Sequence, residues 1–268
     1  MRARRSLGAV ALAALLGGCA SVSPDQALSE LPHWSARAGT PAAELAIDER
    51  QRKTRAERID RLLAQPVDEG GAVEIALAAS PALQALLAEG WARQSRTALG
   101  ASLPAPVFSF ERIAGEDAVS ITRMLAIGLA ELLTLPARRD AAAQALQAQR
   151  LQLAADVLKA TAAARQQWVR AVAAAQSAAY QRKLVDAAQA GAELARRMQA
   201  VGNFSRTQRA REQVVLHEAA AQLARAELAA STEREALLRL LGLDAARAER
   251  LVLPAQLAEL PAAPRSAD

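Results

Sequence analysis

The chain has 268 residues, and its 13 glycines, 11 prolines and 3% aromatic residues indicate an elongated helical body rather than a thick hydrophobic core. Its 33 basic and 28 acidic side chains are interspersed along the sequence, and aromatic residues that could stack on bases are scarce, so we exclude a nucleic-acid-binding protein despite the basic pI. Alanine, the strongest helix former, is abundant, and each alanine buries little area, so the fold must depend on many shallow contacts between helices.

Residues 1–18 have the features of a lipoprotein signal peptide. Three arginines precede an apolar run from Leu7 to Leu16, which is too short to span a membrane. The run ends at Leu16-Gly17-Gly18-Cys19, which resembles a bacterial lipobox, and Cys19 is the only cysteine. We therefore predict cleavage before Cys19 and its attachment to lipid; the alternative is an ordinary signal peptide with an incidental cysteine. Ala20 after the cysteine resembles the outer-membrane sorting pattern.

Residues 19–71 are predicted to form a lipid-anchored tether followed by a short charged helix. Prolines among serines, alanines and threonines in residues 20–47 indicate a tether that needs no fold. Trp34 either docks on the body or is a lone aromatic in a loosely ordered leader. Residues 48–65 carry many charges around a thin apolar seam, which indicates a solvated helix. The seam residues are Ile59, Leu62 and Leu63.

Residues 72–103 have apolar side chains at three-to-four spacing, which predicts helix. The pair Ser80-Pro81 interrupts this run, so we expect two helices, with Ser80 as a cap and Pro81 at the first helical position. The stretch Ala72 to Ala85 resembles the opening helix of TolC-like outer membrane efflux proteins, in which an A-x-x-x-A-L pattern leads into Asn-Pro-x-Leu-x-Ala. Ser80 stands where the family usually has Asn.

A β-hairpin is predicted over residues 107–129, because the period of apolar residues changes from helical to alternating after Pro104-Ala105-Pro106. The second strand, about eleven residues long, has the length of a tilted transmembrane strand. The predicted barrel-strand residues are Val107, Phe108, Phe110, Val119, Ile121, Leu125 and Ile127. From the pattern alone, a soluble hairpin that caps the helices fits equally well, with Arg123 on the apolar row. The phrase Leu103 to Ser109 is similar to the family's Pro-Asn-Pro entry into its first barrel strand, with Ala105 replacing Asn, and this favours the barrel strand, with Arg123 near a polar interface.

Two long helices are predicted, over residues 136–201 and 205–241, with a reversal between them. At ~1.5 Å per residue they would extend ~99 Å and ~55 Å. Each carries apolar residues on one face, so we predict an antiparallel coiled-coil hairpin. The apolar residues of the first face include Leu153, Val157, Trp168, Val172, Tyr180, Leu184, Leu194, Met198 and Val201. The helices 72–103 and 205–241 together match the long helix in length, so they can stack end to end beside it.

The reversal at residues 202–205 has recognisable end signals. Gly202 is suited to the left-handed position that ends a helix, and Ser205 with Gln208 forms a capping box. Phe204 lacks a local staple partner, because Arg209 stands at the position of that partner, so Phe204 either contacts another protein or folds back on Met198 or Val201. The phrase Val201-Gly202-Asn203-Phe204-Ser205 resembles the family's periplasmic tip, which implies a contact with the adaptor of a tripartite pump.

No catalytic, metal or cofactor site is expected. The sequence contains no P-loop, Gly-x-Ser-x-Gly, Cys-x-x-Cys or His-Glu-x-x-His pattern. His33 and His217 are isolated, and His217 is interpreted as a surface histidine, because a metal site needs several converging ligands. Carboxylates such as Glu193 have arginines one turn away, which is typical of a solvated helix face.

The resemblance covers residues 72–254, one repeat or half of a standard member, with 255–268 as a flexible tail. It implies a mainly α fold, a coiled-coil helical hairpin with one barrel-type β-hairpin, in a non-enzymatic lipoprotein of the outer membrane that faces the periplasm. Its function would be efflux of small molecules or metal ions with an adaptor and an inner-membrane pump. Family members are trimers of two repeats with a twelve-stranded barrel, so one hairpin per chain implies a hexamer. The alternative is a non-conducting periplasmic coiled-coil scaffold lipoprotein derived from an efflux half.

Overall fold

The structure is a computed structural model that describes residues 22–103, 106–114 and 119–259. Within them the protein is mainly α-helical with one two-stranded antiparallel sheet, which confirms the predicted fold class. The elements are α1 (Pro24–Ala27), α2 (Leu31–Arg37), α3 (Glu49–Leu62), α4 (Glu69–Ala79), α5 (Pro81–Gly100), β1 (Val107–Ala114), β2 (Val119–Ala126), α6 (Leu129–Ala200), α7 (Arg206–Leu241) and α8 (Ala245–Arg250).

The chain forms two compact units. Unit 1 consists of Ala85–Asp156 and the N-terminal residues up to Leu31. Unit 2 consists of Pro32–Gln84 and the chain from Val157 onward. The helices α5 and α6 contribute residues to both units. Unit 1 contains the β-hairpin, and unit 2 contains the reversal between α6 and α7.

The helices of unit 1 are joined by an apolar seam and by polar side chains. Leu87 on α5 and Leu153 on α6 are buried. Gln149 Nε2 donates a hydrogen bond to Thr97 Oγ1 over 2.9 Å. Nearer the hairpin, Arg138 donates to the carbonyl of Gly100 over 2.9 Å. These contacts fix the helix ends from which the hairpin extends.

The segment predicted as a tether that needs no fold is packed, so that prediction is wrong. In unit 1, Val22, Ala27 and Leu31 are buried. In unit 2, Ala43 is buried and Gln84 accepts a hydrogen bond from the amide of Ala46 over 3.1 Å. Side chains distant in the sequence supply the hydrogen bonds that an isolated proline-rich segment lacks.

The long helix begins at Leu129, six residues before the predicted restart at Leu135-Pro136. Pro136 lies inside the helix, where it removes one amide donor. The turn before it receives additional hydrogen bonds, because Thr134 Oγ1 donates to the carbonyl of Ala130 over 3.0 Å and Arg138 donates to that of Glu131 over 2.9 Å. The helix thus continues through Pro136, with side-chain donors adding hydrogen bonds to the turn before it.

In unit 2, Trp168 of α6 joins three separate segments. The indole is buried and its Nε1 donates to the carbonyl of Val67 over 2.9 Å. The amide of Val67 in turn donates to the carbonyl of Val252 over 2.8 Å. Asp60 of α3 accepts hydrogen bonds from Arg247 and Arg250, so α8 is attached to the same helix layer.

The apolar face predicted along α6 is only partly buried. Trp168 and Val172 are buried as predicted, whereas Tyr180, Leu184, Leu194 and Val201 are exposed. The buried positions in that part of the helix are alanines, namely Ala178, Ala192 and Ala195. Tyr180 follows the buried Val172 by eight residues, which turns the pattern by about 80° on a helix of 3.6 residues per turn, so the large apolar residues leave the contact face there.

The end of α7 meets the junction between α4 and α5. Gly242 has φ +69°, and a Cβ placed there would lie 2.5 Å from Pro81 Cδ and 2.9 Å from Ser80 Cα. Gly202 also has a positive φ, +81°, but a Cβ there would meet open space. Both glycines therefore have a left-handed backbone conformation, but only Gly242 lies so close to other atoms that a side chain would not fit.

We expect Gly242→Ala to destabilise the protein more than Gly202→Ala. Both replacements carry the cost of a left-handed L-residue, about 1–2 kcal/mol. Only Gly242→Ala also forces a methyl group against the packed atoms of Ser80 and Pro81, which adds about 1–3 kcal/mol. Urea unfolding of the two variants measures the difference, and equal losses would contradict the close approach at Ser80-Pro81.

Candidate functional site

The β-hairpin is the first candidate site, and its register defines two faces. β1 and β2 pair antiparallel from Val107 opposite Ala126 to Ala114 opposite Val119. Residues directly opposite each other lie on the same face of a sheet. One face, here called the aromatic face, contains Phe108 opposite Leu125, Phe110 opposite Arg123, and Arg112 opposite Ile121. The other face contains Ser109, Glu111, Ser120 and Thr122 with Val107, Ile113 and Met124.

The apolar side chains of the aromatic face are open to solvent. The exposed fractions are 65% for Phe108, 56% for Phe110, 51% for Ile121 and 64% for Leu125. A two-stranded hairpin without a covering layer is only marginally stable in water. An apolar face of this kind marks a surface that binds another protein or a membrane.

Three details differ from the predicted barrel strands. Ile127 lies outside β2, which ends at Ala126, because its partner strand begins at Val107 directly after Pro106, which has no amide hydrogen for the ladder. Strand β2 has eight residues rather than about eleven. Arg123 lies mid-strand opposite Phe110, not at an end near a polar interface.

Sequence reasoning missed Arg112, which joins Arg123 on the aromatic face. The signal was available, since Arg112 follows Phe110 by two positions and side chains alternate along a strand. The aromatic face therefore carries two positively charged side chains among four exposed apolar ones. These charges bear on whether the face contacts lipid or protein.

The reversal between α6 and α7 is the second candidate site, and its backbone has the predicted caps. The amide of Asn203 donates to the carbonyl of Met198 over 2.9 Å and that of Gly202 to Gln199 over 3.0 Å, which together form a Schellman motif. Ser205 and Gln208 form both hydrogen bonds of the capping box. The turn is therefore held by its own backbone and caps.

The predicted tip residues differ in exposure. Val201 is 70% exposed, and Gly202, Asn203 and Ser205 are exposed. Phe204 is half-buried, and its amide donates to the carbonyl of Met198 over 3.2 Å. Among the tip residues, Val201 thus offers an exposed apolar side chain, while Phe204 offers part of its ring.

Next to the tip, α6 and α7 border a charged groove. The groove contains Glu193, Arg196, Arg197 and Arg209 and has a volume of about 570 Å³. Glu193 accepts hydrogen bonds from Arg196 over 2.7 Å and from Arg197 over 2.8 Å. The paired hydrogen bonds from Arg196, together with the bond from Arg197, lower the pKa of Glu193 from 4.5 to about 2. With three arginines and one glutamate, the groove carries a net positive charge at neutral pH.

Acidification is expected to loosen this part of α6. Because the pKa of Glu193 is lowered in the folded chain, its stabilising contribution is complete above about pH 4.5 and is lost as the pH falls toward 2. Protection factors of the amides of residues 193–200, obtained from NMR hydrogen exchange between pH 6 and pH 2 after division by the intrinsic exchange rate at each pH, should fall over this interval. The variant Glu193→Gln should remove this pH-dependent fall and Glu218→Gln, on α7, should retain it; an unchanged profile in Glu193→Gln would contradict the ion pairs.

Cys19 and the predicted signal peptide lie outside the described residues. His217 is exposed, and His33 stacks edge-on against Trp34 with a centroid distance of 5.3 Å. In the part of the chain that the structure describes, no group of three or more potential metal-ligating side chains converges.

Among the described helices, no single one is both long enough and apolar enough to span a membrane. The bent pair of α4 and α5 reaches that length and apolarity only when the two helices are taken together.

No family model matches the chain, and no curated protein matches it significantly. Its fold is similar to that of a membrane protein from Pseudomonas aeruginosa whose crystal structure is known. The TM-score is 0.56 and the sequence identity is 18%, over 71% of this chain and 46% of that one. The chain thus spans less than half the length of that protein, and the similarity concerns the fold.

Proposed function

We propose that the chain is a lipid-anchored outer-membrane protein that contributes one hairpin and a pair of long helices to an efflux duct resembling those of TolC-like proteins. The observation that carries this proposal is the β-hairpin of unit 1, whose aromatic face and both strand edges have no covering layer among the described residues. A strand edge without a partner is a template for pairing with another chain. Neighbouring copies would pair these edges and close a barrel in the membrane.

Exposed apolar residues on unit 2 support self-association along the helices. Tyr180 and Leu184 on α6 are exposed, as are Val214 and Leu228 on α7. Arg182 pairs with Glu227 across the two helices, so Tyr180 and Leu228 lie at the same level of the hairpin. A copy placed beside this one could join its α6 to the neighbour's α7 without a shift along the helices, which is a requirement for a closed ring.

The tip and the membrane attachment complete the proposal. The basic groove beside Glu193, together with exposed Val201, is where a periplasmic adaptor would bind, and an inner-membrane pump would supply the driving force.

Replacing Phe204 by Ser is expected to weaken crosslinking to the adaptor. The similarity in fold to a bacterial membrane protein supports the location in a membrane, and acylated Cys19 would hold the chain there.

Native mass spectrometry of the acylated, detergent-extracted protein, combined with conductance in planar bilayers, tests the duct. We expect hexamers and discrete conductance steps. Protein that remains monomeric at micromolar concentration and gives no conductance would contradict the duct.

A second function is favoured by Arg112 and Arg123. An arginine at the middle of a lipid-facing strand costs about 2–4 kcal/mol, and this hairpin carries two on its aromatic face. A non-conducting scaffold lipoprotein would place this face against a protein instead. Trypsin cleaves after both arginines, so in isolated outer membranes protection of these two bonds supports the duct and rapid cleavage supports the scaffold.

A further inference from the structure

Five leucines, here called the leucine patch, are exposed where the helices of unit 1 lead into and out of the β-hairpin. Two lie at the end of α5 and just after it, and three lie in the first two turns of α6, namely Leu99, Leu103, Leu129, Leu132 and Leu133. Their exposed fractions range from 37% to 76%. Large apolar side chains that cluster at a protein surface mark a binding surface.

One arginine brings the two parts of the leucine patch together. Arg138 Nη1 donates a hydrogen bond to the carbonyl of Gly100 over 2.9 Å, and its Nη2 donates to the carbonyl of Glu131, also over 2.9 Å. The end of α5 and the first turn of α6 are therefore neighbours. The patch follows directly from the strands, because only Ile127 and Gly128 separate β2 from α6.

The start of α6 has an apolar and a polar side. At ~100° per residue, its three exposed leucines lie within an arc of about 100°, whereas Glu131, Thr134 and Arg138 lie on the opposite side of the helix. Two turns after Leu132 and Leu133, exposed Arg139 and Asp140 take the leucine side. The apolar side is thus confined to the first two turns, and charged residues mark its end.

The strands are too short to cross the apolar layer of a membrane alone. Each has eight residues, or ~27 Å at ~3.4 Å per residue, and a tilt of about 40° reduces this to ~20 Å along the membrane normal. The apolar band of an outer-membrane barrel is ~25 Å tall, which leaves ~5 Å. Leu129 to Leu133 extend over ~6 Å of helix, so the leucine patch has the height that the strands lack.

The composition of the leucine patch also favours lipid over protein as its partner. Buried centres of protein interfaces are enriched in aromatic residues, methionine and arginine, and the patch contains only leucine. A polar residue left against hydrocarbon would be costly, and the polar residues of these two turns lie on the other side of α6.

We propose that the leucine patch contacts the acyl chains of the membrane leaflet next to the helices, so that the membrane boundary lies at Arg139 and Asp140 rather than at the ends of the strands. The first two turns of α6 then complete the apolar span that the hairpin begins, and they relieve the mismatch with the bilayer. The proposal rests on the insertion of the hairpin proposed above, but neither on oligomerisation nor on conductance.

The test uses the full-length acylated protein in vesicles of phosphatidylethanolamine and phosphatidylglycerol, with a nitroxide on part of the acyl chains. A bimane label on Leu133→Cys reports on the leucine patch, and one on Ile121→Cys reports on the hairpin. Leu151→Cys is the matched control, because Leu151 is also an exposed leucine on α6 in unit 1 and lies ~27 Å of helix beyond Leu133. Cys19 is the only native cysteine, so the parent chain gives the label background.

The nitroxide should quench the labels at positions 121 and 133 by about half or more and leave the label at position 151 unchanged. Iodide in the aqueous phase should quench position 151 and spare position 133. A boundary at the strand ends would instead give positions 133 and 151 the same profile.

The variant L129S/L133S should lower the inserted fraction of the hairpin about fivefold or more, measured as nitroxide quenching at position 121, because two apolar side chains no longer enter the hydrocarbon. L151S should insert as the parent does. Leu129 and Leu133 are each more than two-thirds exposed, so their replacement removes little internal packing, and circular dichroism should be unchanged.

Quenching at position 121 without quenching at position 133 would overturn the contact with lipid and leave the proposed function standing. Protection of position 133 from both quenchers would assign the leucine patch to a protein partner, and unchanged insertion of L129S/L133S would show that the leucines add nothing; either result overturns the proposal. Absence of quenching at position 121 would refute the inserted hairpin and this proposal together. Monomeric, non-conducting protein with positions 121 and 133 both quenched would refute the duct and support the contact with lipid.

Discussion

The double variant Phe108→Asp/Phe110→Asp is expected to abolish stable insertion and oligomerisation while leaving the helical content unchanged. Both rings lie on the aromatic face of the hairpin and are more than half exposed in the single chain, so their loss removes no internal packing. In the assembled state each ring would gain about 1.5–3 kcal/mol from burial, and each new carboxylate would carry a further cost at an apolar surface. Every copy in an oligomer would carry the same loss, so the assembly should fall to undetectable levels.

The matched control is Ser109→Asp/Ser120→Asp. Both serines are exposed on the opposite face of the same sheet, so this variant introduces the same number of carboxylates into the hairpin without touching the aromatic face. It should insert and assemble as the parent does, with circular dichroism unchanged in both variants. Protection of the bonds after Arg112 and Arg123 from trypsin in isolated membranes and the native mass of the protein give the readouts.

Comparable assembly in the two double variants would show that the aromatic face is not the buried one. Loss of assembly in both would instead assign the effect to charge on the hairpin as a whole. The lipid on Cys19 would keep the aromatic variant in the membrane fraction under either function. In the duct, the parent is protected from trypsin and the aromatic variant is cleaved, whereas in the scaffold alternative both are cleaved and the variant loses only its protein partner. Trypsin protection and the native mass therefore separate the two functions.

The features that the sequence predicted correctly depend on neighbouring residues. Gly202 and the pair Ser205 and Gln208 satisfy backbone groups within the same turn, and the structure has those hydrogen bonds. The break at Ser80-Pro81 and the alternation of Phe108 and Phe110 are likewise local patterns. A local pattern can be recognised in the sequence because the residues that complete it lie only a few positions away.

The features that the sequence did not predict depend on partners far along the chain. The segment that begins at Val22 is held by Trp91, which lies 69 positions further along the chain, and composition alone described that segment as a tether. The helix α6 continues through Pro136, and Arg138 next to it donates to the carbonyl of Gly100, which lies 38 positions away. Tyr180 and Leu184 are apolar at helical spacing, yet the helix places alanines on the buried face at their level, because alanine permits a closer approach than a large side chain.

Replacing Trp168 by Ala is expected to cost about 3–5 kcal/mol of unfolding free energy. The indole is 6% exposed, so its removal leaves a cavity between α6 and the segments around Val67 and Val252. The carbonyl of Val67 also loses its donor, and an unsatisfied buried acceptor costs about 1–3 kcal/mol. Trp168→Phe retains most of the ring and should show mainly this second loss, which urea unfolding of the detergent-solubilised monomer can resolve.

Tyr180→Ala is the matched control on the same helix, since Tyr180 is aromatic and 59% exposed. In the monomer it should change the unfolding free energy by no more than about 0.5 kcal/mol, while lowering the fraction of oligomer in native mass spectra. Trp168→Ala should have the opposite profile, with a large loss of monomer stability. If Tyr180→Ala destabilised the monomer as strongly as Trp168→Ala, the exposed stripe of α6 would belong to the core of unit 2 rather than to an interface. If it left both quantities unchanged, the helices would not take part in assembly, and the hairpin of unit 1 would have to hold the copies together alone.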